Sequence, residues 1–163
     1  MRIETVAIGN DHGGYELKQK ITAHLEEKGI DVVDVGSHST EIVRYPYFAA
    51  RVSVRVLSGD VPRGILICST GVGMSIAANK FKGIRASLCT SSYLAKMTRA
   101  HNDSNVLCLG GKVTGELEAM DIVDTWLETE YQDGRHDISL GLISDAEKEM
   151  STGRLWKPEG PMK

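Results

Sequence analysis

From its N-terminus to about residue 130 the sequence alternates short apolar runs with longer stretches of helical periodicity, and no linker, repeat or low-complexity segment interrupts them. Strand, helix and strand in succession close most readily as a crossover that lays the two strands parallel, so repeated alternation points to an α/β domain with a parallel sheet covered on both faces. "TVAIG" and "DVVDVG" read as the first two strands, and "GILIC", "RASLC" and "NVLCLGG" as the next three. "GILIC" is apolar almost throughout, as a strand buried on both faces requires. Between them, "YELKQKITAHLEEKG" carries Leu17, Ile21 and Leu25 on one stripe and stops at Gly29. "YPYFAARVSVRVLSG" starts beside Pro46, turns Phe48, Val52 and Val56 inward and ends at Gly59. "MSIAANKF" is a short helix, and "SSYLAKMTRAH" a longer one opened by a serine cap. "TGELEAMDIVDTWLETEY" offers Leu117, Met120, Ile122, Val123 and Trp126 as a broad apolar face. A last helix is expected from about Ile138 to Met150, followed by the tail "STGRLWKPEGPMK", either loose or packed on a neighbouring subunit. The expected fold is a doubly wound, five-stranded parallel sheet flanked by helices, with residues 1–150 as the domain and 151–163 as a C-terminal tail.

A chain of 163 residues suits one domain and can bury a core without disulfides or metal. With 25% charged residues and a net charge of −3, nothing suggests a nucleic-acid surface, although a local cluster of cations can still hold a small anion. No stretch approaches the ~20 apolar residues of a membrane span, and the N-terminus lacks the apolar run of a signal peptide. A soluble, cytoplasmic protein is expected. Cys68, Cys89 and Cys108 are odd in number and far apart, with no CxxC pair, which argues against a disulfide framework or a zinc site.

Doubly wound sheets take their ligands beyond the carboxyl ends of the strands, where the strand order reverses. The polar residues falling there are Asp11 and His12 after the first strand, Cys68, Ser69 and Thr70 after the third, and Lys112 after the fifth; His101 and Asn102 close the fourth helix. In "STGVGMS", Gly71 and Gly73 let several backbone N–H groups converge, and a helix starting near Met74 adds its positive end, a nest for phosphate or an oxyanion. A plain strand-to-helix turn uses glycine too, and neither a Walker pattern nor a full GxGxxG fingerprint is present. Cys89 and Cys108 read as small buried hydrophobes. Cys68 differs because it is the last strand residue before the nest, where a thiolate can serve as nucleophile or as base. In "GNDHGG", Asp11 can hold a sugar hydroxyl, orient a histidine or simply cap a helix, and His12 can bind a phosphate or a hydroxyl or lie on the surface. His101 can exchange a proton and Asn102 donate an amide, or His101 can merely complement the helix dipole. Arg135 in "DGRH" and Lys112 in "LGGKVTG" are candidate phosphate cations.

Taken in order, "GNDHGG", "YP", "ILICSTGVGMSIAANKFKGIRA", "HNDSNVLCLGGKVTG" and "DGRH" closely resemble the type B ribose-5-phosphate isomerases and the related galactose-6-phosphate isomerase subunits, over roughly residues 3 to 150. The resemblance implies aldose–ketose isomerisation of a sugar phosphate, most simply ribose 5-phosphate and ribulose 5-phosphate, without metal or organic cofactor. It implies a homodimer, or a tetramer, whose active sites draw on both subunits. Cys68 would move a proton between C1 and C2 through an enediol, while the amides of Gly71, Val72, Gly73, Met74 and Ser75 stabilise charge on oxygen. Thr70 and Asn102 would assist, and His101, helped by Asp11, would open the sugar ring. His12, Lys112 and Arg135 would bind phosphate, and Tyr45 would line the pocket. Three positions depart from the family: Ser139 and Lys112 stand where arginines are usual, and Ser69 where glycine is usual. These leave galactose 6-phosphate, allose 6-phosphate, a tetrose phosphate or a free sugar as alternative substrates. A subunit of a hetero-oligomer and a non-catalytic sugar-phosphate sensor are the alternative roles.

Overall fold

The protein's structure, a computed structural model, describes residues 3–157. They fall into two compact units, one running to Tyr131 and one starting at Gln132. In the first, β1 (Thr5–Asn10), β2 (Asp31–Asp34), β3 (Gly64–Cys68), β4 (Ala86–Leu88) and β5 (Val106–Gly110) form one parallel sheet in the order β2-β1-β3-β5-β4. Between and after them run α1 (Tyr15–Glu27), α2 (Tyr45–Leu57), α3 (Val72–Ala78), α4 (Ser92–Asn102) and α5 (Glu116–Glu128). The expected doubly wound α/β architecture is present.

Period-two alternation along the strands sorts the core into two layers. Val6, Ile8, Ile65, Ile67, Leu107 and Leu109 pack with Leu17, Ile21 and Leu25 of α1 and with α5 on one face. Ala7, Leu66, Cys68, Val106 and Cys108 pack with Phe48, Ala49 and Val52 of α2 and with Met74 and Ala78 of α3 on the other. Because α1 leads from β1 outward to β2 while α2 returns across the opposite face to β3, the strand order reverses between β1 and β3. The crevice over the carboxyl ends of those two strands is where such folds take ligands.

The helix stripes behave as the sequence predicts, with one correction. Ala119, Ile122, Val123, Trp126 and Leu127 form the buried face of α5, whereas Leu117 is 81% exposed. Leu117 precedes Ala119 by two residues, roughly 200° around the helix, and so points away from the sheet. Ser91 caps α4 as expected, accepting from the Leu94 amide at 3.3 Å.

The second unit consists of α6 (Arg135–Ser151) and the start of the tail. The helix begins three residues before the expected Ile138, with Gly134 at φ +60 preceding it, so Arg135 is its first residue. Arg154 turns back onto Glu149, its Nε 2.7 Å from Oε2. Residues 158–163, the rest of the tail, lie outside the described range.

Candidate active site

Three strand tips meet at the crevice, and glycines let them approach. The amide of Gly111, just after β5, donates to Cys68 O at 2.8 Å and that of Lys112 to Ser69 O at 3.0 Å. A side chain at Gly111 would stand 2.7 Å from Gly13 O, so only glycine fits between the tips of β1 and β5. At Gly13 a side chain would collide with the Ser69 hydroxyl. "GNDHGG", "CSTG" and "LGGK", separated by tens of residues in the chain, thus form one surface.

Cys68 ends β3 with its side chain 5% exposed, on the α2–α3 face. Its sulfur accepts the Gly71 N–H at 3.1 Å, a bond made possible by the left-handed Gly71, φ +77. A donor aimed at sulfur suits either thiol or thiolate and separates this cysteine from the other two. Burial pushes the Cys89 thiol up to about 12. Burial, then the neighbouring Cys68 and Cys89, pushes the Cys108 thiol well above the ordinary range. Below such values both stay protonated. At pH 8, therefore, a small alkylating reagent added to the native protein should modify Cys68 ahead of Cys89 and Cys108, as read by peptide mass; earlier modification of either of the others would contradict this ranking.

The amide nest is narrower than the sequence suggests. Of the five amides from Gly71 to Ser75, that of Gly71 is taken by sulfur, that of Val72 by Thr70 Oγ1 at 3.4 Å, and that of Ser75 by Gly71 O at 3.0 Å. The reason is that α3 starts at Val72, two residues before the expected Met74, and draws Ser75 into its first backbone bond. Among the described residues the N–H groups of Gly73 and Met74 have no partner, although the Met74 side chain is fully buried in the core. Ser75 turns its hydroxyl to Val72 O at 2.9 Å. Tyr45, first residue of α2 and 38% exposed, lays its ring on Gly73, where an added side chain would meet it at 3.1 Å.

Across the crevice Asp11 is buried and caps the short helix His12–Gly14, its Oδ1 accepting from the Gly13 N–H at 2.9 Å. The bland role foreseen for Asp11 is therefore filled. His12 Nδ1 accepts from the Val43 amide at 3.4 Å, which leaves Nε2 to carry the ring proton as a donor. Thr70 and Lys112 are exposed at the same edge. Beneath it, a residue that sequence reasoning missed is fully buried: Lys18 of α1 donates to Asp34 Oδ2 at 2.8 Å and to Ser37 O at 2.7 Å.

His101 and Asn102 lie elsewhere. α4 leaves the carboxyl edge after β4 and runs back to the amino edge, where Asn105 O accepts from the amide of Gly64, the first residue of β3. Cys68 is the last residue of that strand, so four strand steps, about 13 Å, separate the two edges of the sheet. One chain does not bring His101 and Asn102 to Cys68. Arg135 belongs to the second unit, exposed, with Nε 3.5 Å from His136 Nε2.

A cavity of about 760 Å³ opens between the end of β2 and α2, lined by Asp34, His38, Arg51, Arg55 and Asp60 among others, and none of the expected site residues reaches it. Among the described residues no helix is long and apolar enough to cross a membrane, and no three His, Cys, Asp or Glu side chains are placed to share a metal ion.

The fold and the crevice together define an α/β enzyme of the doubly wound class, with a thiol and free backbone amides over its strand ends. A family model described as Ribose/Galactose Isomerase matches residues 6–143. The chain is 48% identical over 146 residues to ribose-5-phosphate isomerase B of Escherichia coli (strain K12), covering 90% of this chain and 98% of that protein. Among solved structures it resembles ribose-5-phosphate isomerase B of Clostridium thermocellum (TM-score 0.88, 52% identity, 90% of this chain and 99% of that one). It also resembles the Mycoplasma genitalium ribose-5-phosphate isomerase B with bound ribulose-5-phosphate (TM-score 0.84, 40% identity, 89% of this chain and 97% of that one). The chain belongs to the ribose/galactose isomerase family and is an aldose–ketose isomerase.

Proposed function

We propose that the enzyme interconverts ribose 5-phosphate and ribulose 5-phosphate through an enediol, with Cys68 as the base and with His101 and Asn102 supplied to each crevice by a second copy of the chain. The observation that carries this reading is the Cys68 sulfur at the carboxyl end of β3, beside the β1–β3 crevice, held by the Gly71 N–H and followed by the amides of Gly73 and Met74, unpaired among the described residues. The names of the similar proteins, and the ribulose 5-phosphate bound in one of them, support the choice of sugar.

The chemistry follows from these groups. His101 takes the proton of the anomeric hydroxyl and returns one to the ring oxygen, aided by Asp11, which opens the sugar to its aldehyde. The Cys68 thiolate removes the proton from C2. The electron pair moves through the new C1–C2 double bond onto the aldehyde oxygen, where the Gly73 and Met74 amides, Thr70 and Asn102 stabilise it. A proton passes from the C2 hydroxyl to the C1 oxygen, and the thiol returns its proton to C1, giving the ketose. Atoms and electrons balance within the substrate, so no cofactor is needed. His12, through Nε2–H, and Lys112 bind the phosphate, Lys112 as a point charge in place of a forked guanidinium, and Tyr45 walls the crevice.

Site sharing is tested by mixing inactive variants. If each crevice takes its thiol from one chain and its imidazole from another, Cys68→Ser and His101→Ala chains combined after unfolding and refolding form hybrid dimers with one intact site of two. Random pairing then restores about a quarter of wild-type activity. No recovery, with hybrids confirmed by mass, would place both residues in one chain's site or neither in any.

A further inference from the structure

His101 and Asn102 occupy the last turn of a helix, where backbone ordinarily frays. Here that turn is clamped. Asp103, which follows, adopts the left-handed conformation at φ +44, unusual for a residue with a side chain. Two guanidiniums converge on its carboxylate: Arg99 Nη1 donates to Oδ1 at 2.8 Å and Arg85 Nη2 to Oδ2 at 2.7 Å. The same Arg85 donates from Nε to the carbonyl oxygens of Asn102 and Asp103, each at 3.0 Å, and from Nη2 to the latter at 2.8 Å. These are carbonyls that a helix end leaves without partners, and a cation there also complements the dipole.

The clamp is anchored in the core. Arg99, 6% exposed, reaches Ser104 O at 2.6 Å, and its Nε is buried without a partner among the described residues, so Asp103 and Ser104 dictate its orientation. Ser104 Oγ in turn accepts from Nε1 of the fully buried Trp126 at 2.8 Å. The chain from Trp126 through Ser104, Arg99, Asp103 and Arg85 thus ends on the backbone of the turn that presents His101 and Asn102.

We propose that Asp103 is a positioning residue for the isomerisation: held by Arg85 and Arg99, it fixes the last turn of α4 so that His101 and Asn102 enter the crevice of the other copy in register. This rests on the reading that those two residues act there. Misplacement of a proton-transfer group by about 1 Å costs on the order of 100-fold in rate.

The test is a double-mutant cycle. Asp103→Asn keeps the size and the tolerance for left-handed backbone but weakens both ion pairs. It should lower kcat for ribose 5-phosphate roughly 10- to 100-fold while KM moves less than about threefold. Added to a His101→Ala/Asn102→Ala variant, the same change should cost less than about threefold, because both groups it positions are gone, whereas a loss that is merely structural would add in full. Arg85→Gln serves as the second variant, with the same expectation, should Asp103→Asn fail to fold. Equal losses in both backgrounds, or wild-type kcat in Asp103→Asn, would overturn the positioning role and leave His101 in place. Wild-type turnover in His101→Ala would overturn the functional reading itself, and this inference with it.

Discussion

Replacing Cys68 with serine should leave the fold intact and lower kcat by on the order of 1,000-fold, the scale of a lost general base. Serine keeps the size of the side chain and can still accept the Gly71 N–H that the sulfur now takes at 3.1 Å, so the melting temperature should move by only a few degrees. What serine lacks is acidity. An alcohol gives up its proton far less readily than a thiol, so serine cannot replace the cysteine as a base. The phosphate contacts are untouched, so KM should stay within about threefold. Isotope exchange gives an independent readout, because a base that removes the C2 proton exchanges it with solvent. In deuterium oxide the wild-type product should therefore carry deuterium at the receiving carbon, and the serine variant should incorporate almost none. Cys68→Ala should be equally inactive but less stable by about 1–2 kcal/mol, since the Gly71 N–H loses its acceptor. Wild-type turnover in the serine variant would remove Cys68 from the mechanism.

The sheet was legible because each strand is bounded by glycine or a polar turn and is apolar where two layers must cover it. "GILIC" is buried at every position, and Leu17, Ile21 and Leu25 occupy one face of α1 as their spacing requires. What the residues did not reveal depends on geometry that no local pattern encodes. Leu117 is apolar yet exposed, because a stripe can be counted from the wrong residue when Leu, Met and Ile crowd one helix. The number of free amides in the nest turned on where α3 begins, a shift of two residues that moves Ser75 from donor at the crevice to donor in the helix. Strand-tip residues could be assigned to the crevice from topology alone, which is why Asp11, His12, Cys68, Thr70 and Lys112 share one edge. His101 and Asn102 could not, since they end a helix, and a helix that follows a parallel strand delivers its last residues to the opposite edge of the sheet.

Lys18 was invisible for a different reason: in sequence it is one more lysine on an amphipathic helix, yet its side chain is fully buried. Burial of an ammonium is sustained only by partners, here Asp34 Oδ2 at 2.8 Å and Ser37 O at 2.7 Å, with the Tyr15 ring 5.5 Å away. Removing one partner is therefore worse than removing the cation. Asp34→Ala should destabilise the protein by about 3 kcal/mol, because it leaves a charge enclosed without its counter-ion. For a chain of this length that corresponds to a fall in melting temperature of roughly 6–12 °C, measured at one protein concentration so that assembly does not shift the midpoint. Lys18→Met fills the same space without a charge and leaves Asp34, 28% exposed, to water; it should cost about 1 kcal/mol. The double variant should be no less stable than Asp34→Ala alone, since the enclosed charge has gone. The pair also governs the crevice: it fixes Ser37 in the segment between β2 and α2, and that segment carries the Val43 amide that sets the tautomer of His12. Asp34→Ala should accordingly raise KM for the sugar phosphate more than it lowers kcat, through His12. A drop in melting temperature larger for Lys18→Met than for Asp34→Ala would mean that the ammonium is worth more as a ligand to the loop than it costs as a buried charge.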